Sequence, residues 1–216
     1  MYKRLFGGIV GQSEANLRTV IQTAEAISPC VLWIDEIEKG FGGMGGSSGS
    51  TDGGTSARVF GTMLNWLQDK TKPVFVVATA NDVSKLPPEL LRKGRWDELW
   101  FVDLPNSNER SAIWDIVIGK YGRNKADFDT VVLARASELH TGAEIEAAFV
   151  ESLHRCFTRD REPTELDLGE VLCDSVPLAT TMSEEIERLR HWSRTRARHA
   201  THADTPANRK RKLDLS

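Results

Sequence analysis

Apolar residues recur at helical spacing through SEANLRTVIQTAEAI, which puts Leu17, Val20, Ile21, Ala24 and Ile27 on one face. Ser13 is placed to cap that helix, with Glu14 in its first turn. The run CVLWI, Cys30 to Ile34, is apolar at every position, as in a parallel strand buried on both faces. GFGGMGGSSGSTDGGTS, from Gly40 to Ser56, is a loop by composition. A helix over Ala57–Asp69 turns Val59, Phe60, Met63, Leu64 and Leu67 inward, and VFVVAT, Val74 to Thr79, is a second strand running on to Asn81. Pro87 and Pro88 open a short helical turn in ELLRKGR, and ELWFV, Glu98 to Val102, is a third strand. Strands alternating with helices predict an α/β fold with a parallel sheet.

After DLPNSNER the period changes. Only helices are expected from Ser107 to Cys173: Ser107–Tyr121, Phe128–Leu139, Thr141–Phe157 and Thr164–Cys173. Ile113, Ile116 and Val117 mark the inner face of the first; Ile145, Phe149 and Leu153 mark that of the third. SEEIERLRHWSRTRARHA reads as one more helix, and the residues after it as disordered. The pattern divides the chain into an α/β part over 1–105, a helical part over 106–174, and a helical then disordered basic tail over 175–216.

Composition adds a charge asymmetry. The 216 residues sum to a net charge of -3, yet Arg188 to Ser216 hold nine Lys/Arg against two Asp/Glu, a net of +7 that leaves the remainder near -10. An acidic body with a basic end can mean an anionic partner, though a solvated, disordered end is the more common reason for it. With one aromatic, Trp192, and no recognition fold, the tail is expected to touch nucleic acid only nonspecifically, through charge, and so to lose affinity steeply with salt. The three cysteines, Cys30, Cys156 and Cys173, have neither metal nor redox spacing, which fits a reducing, cytoplasmic setting. No apolar run approaches the ~20 residues of a membrane span, and MYKRLFGGIV is too short in its apolar part for a signal peptide.

The chemistry lies where the strands end. Parallel α/β sheets place ligands beyond the carboxyl ends of their strands. Asp35 and Glu36 follow one such end and Asn81 another. An Asp can hold a magnesium ion, largely through water, while a neighbouring Glu takes the proton of an attacking water and a neutral Asn orients that water. Together they suit hydrolysis of a phosphoanhydride. Each alone is a weak signal, because acids also end strands simply where the chain re-enters solvent.

SPCVLWIDEIEKGF followed by FVVATANDVSKLPPELLRKGRWDELWFVDLP resembles the AAA ATPase family, the first as its Walker B segment and the second as its second region of homology. The match runs from about Leu5 to Phe157, and the texture of PLATTMSEEIERLRHWSRTRAR is most similar to the small AAA proteins of cyanobacteria and algal plastid genomes. The resemblance implies that Asp35 holds the magnesium of ATP, that Glu36 polarises the water, and that Asn81 senses the γ-phosphate. It implies arginine fingers at Arg92 and Arg95, whose charge would reach a neighbouring subunit's site. Gly142 and Ala143 would lie by the nucleotide base, with Ile113 and Val117 lining the same pocket; as plain helical core these two read equally well. Ile9 in IVG aligns with the family's substrate-gripping pore loop, where many threading members have an aromatic; a strand end packed on the core is the other reading. The implied partners are a hexamer-like homo-oligomeric ring, or a complete AAA subunit, and an unknown protein substrate, with no membrane involved.

The family's phosphate loop, G-x-x-x-x-G-K-[ST], has no match. GGMGGSSGST has no Lys, and Gly119-Lys120 is followed by Tyr121 with no Gly five positions earlier. The chain thus resembles an AAA module without its first strand, phosphate loop and following helix. Three readings stay open: a start placed too late, a subunit completed by another chain, or a decayed gene. Because Glu36, Asn81 and both arginines are retained, a late start is expected, with the motif encoded in frame within roughly 20–40 codons upstream of Met1. Without that central strand, two apolar strand edges would be left unpaired and the chain would be prone to aggregate. Two functions follow: an ATPase remodelling a protein partner, or a non-hydrolysing scaffold that donates Arg92 and Arg95 to a complete neighbour.

Overall fold

A computed structural model describes residues 12–40, 53–92 and 94–201, with backbone only at 12, 13 and 53–57. Ile9, most of the glycine-rich loop and the basic run after Thr201 lie outside the described residues. The chain divides into two units between Glu98 and Leu99.

In the first unit, helix α1 (Gln12–Ala26) leads into strand β1 (Cys30–Ile34), and helix α2 (Gly53–Asp69) into strand β2 (Val74–Ala78). The strands pair in parallel from Cys30↔Val74 to Ile34↔Ala78. Leu17 and Ile21 of α1 and Val59, Phe60, Met63, Leu64 and Leu67 of α2 form one core with Ile34, Ile37, Leu86 and Leu90. Side chains alternate across a strand, so Leu32, Ile34 and Val76 meet this core while Val31, Trp33 and Phe75 are about 60–66% exposed. The expectation of a strand buried on both faces therefore fails among the described residues, because both helices share one face of the sheet. Ile27 is likewise exposed, since α1 ends before it, and Ser13 lies inside the helix rather than capping it. Helix α2 starts four residues earlier than expected, running into Gly53 and Gly54.

The expected helical turn after Pro87 is a run of turns closed by i→i+3 bonds from the amides of Leu90, Leu91 and Arg92 to the carbonyls of Pro87, Pro88 and Glu89. Gly94 continues it at φ +93°, a conformation open to glycine and strained for other residues.

The second unit opens with strand β3 (Trp100–Phe101), shorter than the expected Glu98–Val102. β3 does not extend the β1–β2 sheet. It pairs in parallel with β4 (Arg198–His199) near the far end of the chain. Between them lie helices α3 (Ser107–Lys120), α4 (Thr130–Ala136), α5 (Gly142–Phe157), α6 (Glu165–Asp174), α7 (Leu178–Thr181) and α8 (Ser183–Arg196). Capping boxes open three of them, from Asn106 with Glu109, Thr141 with Glu144, and Thr164 with Asp167. Trp114, Val117, Ile118, Leu133, Ile145, Phe149 and Leu168 form the helical core. Ile116, expected inward, is 66% exposed. The inner face of α3 is instead Arg110, Trp114, Val117 and Ile118, with the buried Arg110 guanidinium donating to the carbonyls of Ala134 and Pro105 at 2.8 Å each. The architecture is mixed α/β followed by a helical part. No helix among the described residues is long and apolar enough to cross a membrane.

Candidate active site

Parallel pairing in register ends β1 and β2 side by side, so that Asp35 and Glu36 leave one strand where Thr79 leaves the other. The ladder continues one step past the strands: the Thr79 amide donates to the Ile34 carbonyl and the Ile37 amide to the Thr79 carbonyl, both at 2.9 Å. The Thr79 hydroxyl then serves both acids, donating to Asp35 Oδ1 at 2.5 Å and accepting the Glu36 amide at 3.0 Å. Glu36 sits at φ +50°, in the left-handed region that is strained for a residue with a Cβ.

The Glu36 carboxylate is held on both oxygens. Asn81 Nδ2 donates to Oε1 at 3.3 Å, and Lys39 Nζ donates to Oε2 at 2.5 Å. The bond to Glu36 is the largest cause holding the Lys39 ammonium above its ordinary pKa. Beneath this pair Glu38 is 4% exposed. Its Oε1 accepts the Asn81 amide at 3.2 Å, and its Oε2 has no partner among the described residues. A buried carboxylate thus holds the backbone of the residue whose side chain holds Glu36.

Asp35 is exposed, with one oxygen engaged by Thr79. No cluster of three or more His, Cys, Asp or Glu among the described residues could enclose a metal ion. One accessible carboxylate beside a hydroxyl fits magnesium, which keeps several waters and takes its other ligands from substrate phosphates.

Arg92 and Arg95 flank Gly94 in the turn after Pro88, and they differ. Arg92 is exposed, whereas Arg95 is half-buried with its Nη1 donating to the Glu89 carbonyl of its own turn.

In the second unit, Gly142 opens α5 and faces Ile113 of α3; a Cβ at Gly142 would stand 3.7 Å from Ile113 Cδ1. Both line a largely apolar cavity of about 670 Å³ with Phe101, Leu104, Ile186 and Leu189. Val117 and Ala143 do not line it. Val117 is buried in the helical core, and Ala143 is exposed on the first turn of α5.

Sequence reasoning missed Thr79, Glu38 and Lys39. The signal for Thr79 was the register: aligning WID with VAT at the strand ends sets Thr79 opposite Asp35. Nothing in the sequence marks Glu38 as buried, because it follows an exposed-looking pair of acids.

Residues 2–104 match the family model described as "ATPase family associated with various cellular activities (AAA)". These residues belong to the AAA family. The AAA domain-containing protein ycf46 of Guillardia theta is 49% identical over 191 residues, covering 88% of this chain and 37% of that protein. Its namesake in Pyropia yezoensis is 47% identical over 200 residues, covering 92% of this chain and 40% of that protein. The chain thus spans about two-fifths of the length of these curated relatives. The crystal structure of the FIGL-1 AAA domain shares the fold, with a TM-score of 0.68 and 16% identity over 89% of this chain and 66% of that one. The AAA segment takes in the first unit with its acids, Asn81 and both arginines, and β3.

Proposed function

We propose that this chain is the C-terminal portion of an AAA ATPase that works in a ring and couples ATP hydrolysis to remodelling of a protein partner. The observation that supports this best is the bond from the Asn81 side-chain amide to the Glu36 carboxylate, made where two parallel strands of an AAA segment end together. Asp35 would hold magnesium through the oxygen that Thr79 leaves open. The bound ion would neutralise charge on the phosphates. Glu36 takes the proton from a water whose oxygen attacks the γ-phosphorus; the bond to the bridging oxygen breaks, and ADP and phosphate leave. Asn81 keeps the Glu36 carboxylate aligned, and the exposed Lys39 can release the other oxygen. Arg92 and Arg95 would act on a neighbouring subunit's γ-phosphate, and Ile113 and Gly142 would contact the base.

A form that includes a phosphate loop tests this. Glu36→Gln should retain ATP binding and lower turnover by ~100-fold or more, since general-base catalysis contributes about that much. Turnover near that of the parent would exclude Glu36 as the base.

One observation favours a second reading: none of the 216 residues forms G-x-x-x-x-G-K-[ST]. As a scaffold, the chain would raise ATP hydrolysis by a complete AAA subunit on mixing, and the Arg92→Ala, Arg95→Ala double variant would not. No stimulation by the parent chain would dispose of this reading.

A further inference from the structure

The turn after β1 grips Glu36 from two sides, and the two grips are unlike. Lys39 acts directly, from solvent: it pairs with Oε2 at 2.5 Å, and its side chain is 66% exposed. Such a pair is held loosely, because water competes for both charges. Glu38 acts from inside. It is 4% exposed, and it reaches Glu36 only through Asn81.

The backbone shows why a side chain is needed there. Past the strands, the Ile37 amide donates to the Thr79 carbonyl. A parallel ladder that continued would next carry the Asn81 amide to a main-chain carbonyl of the first segment. That segment instead winds into a 3-10 turn, Ile37–Gly40, and the Asn81 amide goes to Glu38 Oε1 at 3.2 Å. The chain is anchored again at Asp82, which caps the turn Val83–Lys85. A side chain thus stands in for a rung, at the residue whose own side chain meets Glu36 Oε1.

The fold loses stability by this arrangement. Oε2 of Glu38 is enclosed without a hydrogen-bond partner among the described residues. An apolar side chain of the same length would be buried there more favourably. Asn81 is itself exposed, so water can take its amide when the carboxylate is gone. Stability therefore does not explain the burial of Glu38. Orphaned polar groups of this kind gather where geometry matters more than stability.

We propose that Glu38 is a positioning residue for hydrolysis: by fixing the main chain of Asn81, it sets the side-chain amide that aligns the Glu36 carboxylate. This role rests on Glu36 being the base. The 3.3 Å bond from Asn81 to Glu36 is at the long end for an amide donor, so a small shift of the Asn81 main chain breaks it.

Glu38→Met keeps the length of the side chain and removes both oxygens, whereas Glu38→Gln keeps an acceptor for the Asn81 amide. The first measurement uses this chain, isotope-labelled for NMR. The main-chain and side-chain amide signals of Asn81 should both move in Glu38→Met and return toward the parent positions in Glu38→Gln. The melting temperature of Glu38→Met should stay level or rise. The second measurement uses a form with a phosphate loop. There Glu38→Met should lower kcat by roughly ten- to a hundred-fold, the range for losing a group that orients a reacting one. KM for ATP should change little, and Glu38→Gln should recover most of the turnover. On an Asn81→Ala background the Met substitution should cost less than about two-fold, because the side chain it positions is gone. Unmoved Asn81 side-chain signals, a melting temperature that falls in Glu38→Met, or an equal loss of kcat with and without the Asn81 side chain would overturn the proposal. A parent form without turnover would instead fail the ATPase reading, and the role of Glu38 in hydrolysis with it. Turnover in the parent alongside any of those three outcomes fails Glu38 alone.

Discussion

Thr79 sets the geometry of two acids with one hydroxyl, so its loss should be felt twice. Thr79→Val preserves the shape and removes both bonds, leaving the Glu36 amide without its acceptor. We expect the first unit to lose about 1–2 kcal/mol in urea unfolding, and a form with a phosphate loop to lose most of its turnover, whereas Thr79→Ser should resemble the parent. The two arginines should separate in the same way. Arg95→Ala removes a bond that closes its own turn and should lower stability by about 1 kcal/mol as well as hydrolysis. Arg92→Ala, at an exposed position, should change stability by no more than ~0.5 kcal/mol. If both act across a subunit boundary, mixing either variant with a subunit that supplies the arginine should restore turnover; failure of all mixtures would argue against that role.

At the scale of elements, periodicity revealed β1, β2 and most helix interiors, because Leu17, Ile21, Met63, Ile145 and Phe149 repeat at the spacing their cores require. It also put Asp35, Glu36 and Asn81 just past the ends of those strands, which is where they lie, with Asn81 donating to Glu36. What it could not reveal depends on how distant segments meet. The alternation that exposes Trp33 follows from which face the helices cover, and the partner of β3 is a pair of residues with no strand signal of their own. Buried polar groups were equally hidden: Arg110 and Glu38 look like surface residues in the sequence. The cap of α6 shows how such a group acts. Asp167 accepts from the Thr164 amide and is forked by Arg161, and these bonds, that of Arg161 foremost, hold its carboxyl well below the usual range. A depressed carboxylate contributes stability at pH values above the unfolded pKa of ~3.9 and loses it as pH falls below that value. Asp167→Asn should therefore destabilise the second unit by about 1.5–3 kcal/mol at neutral pH. The gap to the parent should shrink as pH drops below about 4, as read from thermal melts across pH. A gap that stayed constant through that range would mean the charge contributes nothing.

For the whole molecule, ATP binding by this chain alone should be too weak to measure, because its 216 residues hold no G-x-x-x-x-G-K-[ST], the motif whose backbone amides and Lys hold phosphates. Titration with a fluorescent ATP analogue checks this, and micromolar, magnesium-dependent binding would refute it. The β3–β4 pairing bears on the order in which the second unit assembles. Its helices join near neighbours in the sequence, whereas Trp100 finds Arg198 only after six helices have been made. Pairings of that span carry the largest loop-closure entropy and form late. With two residues per strand, the ribbon recovers little in return. It should then be the last part of the unit to close and the first to open. In hydrogen exchange the amides of Arg198 and Ala200, which donate to Leu99 and Phe101, should exchange long before that of Val117 in the core, and ending the chain after Arg196 should leave the helical melting transition cooperative.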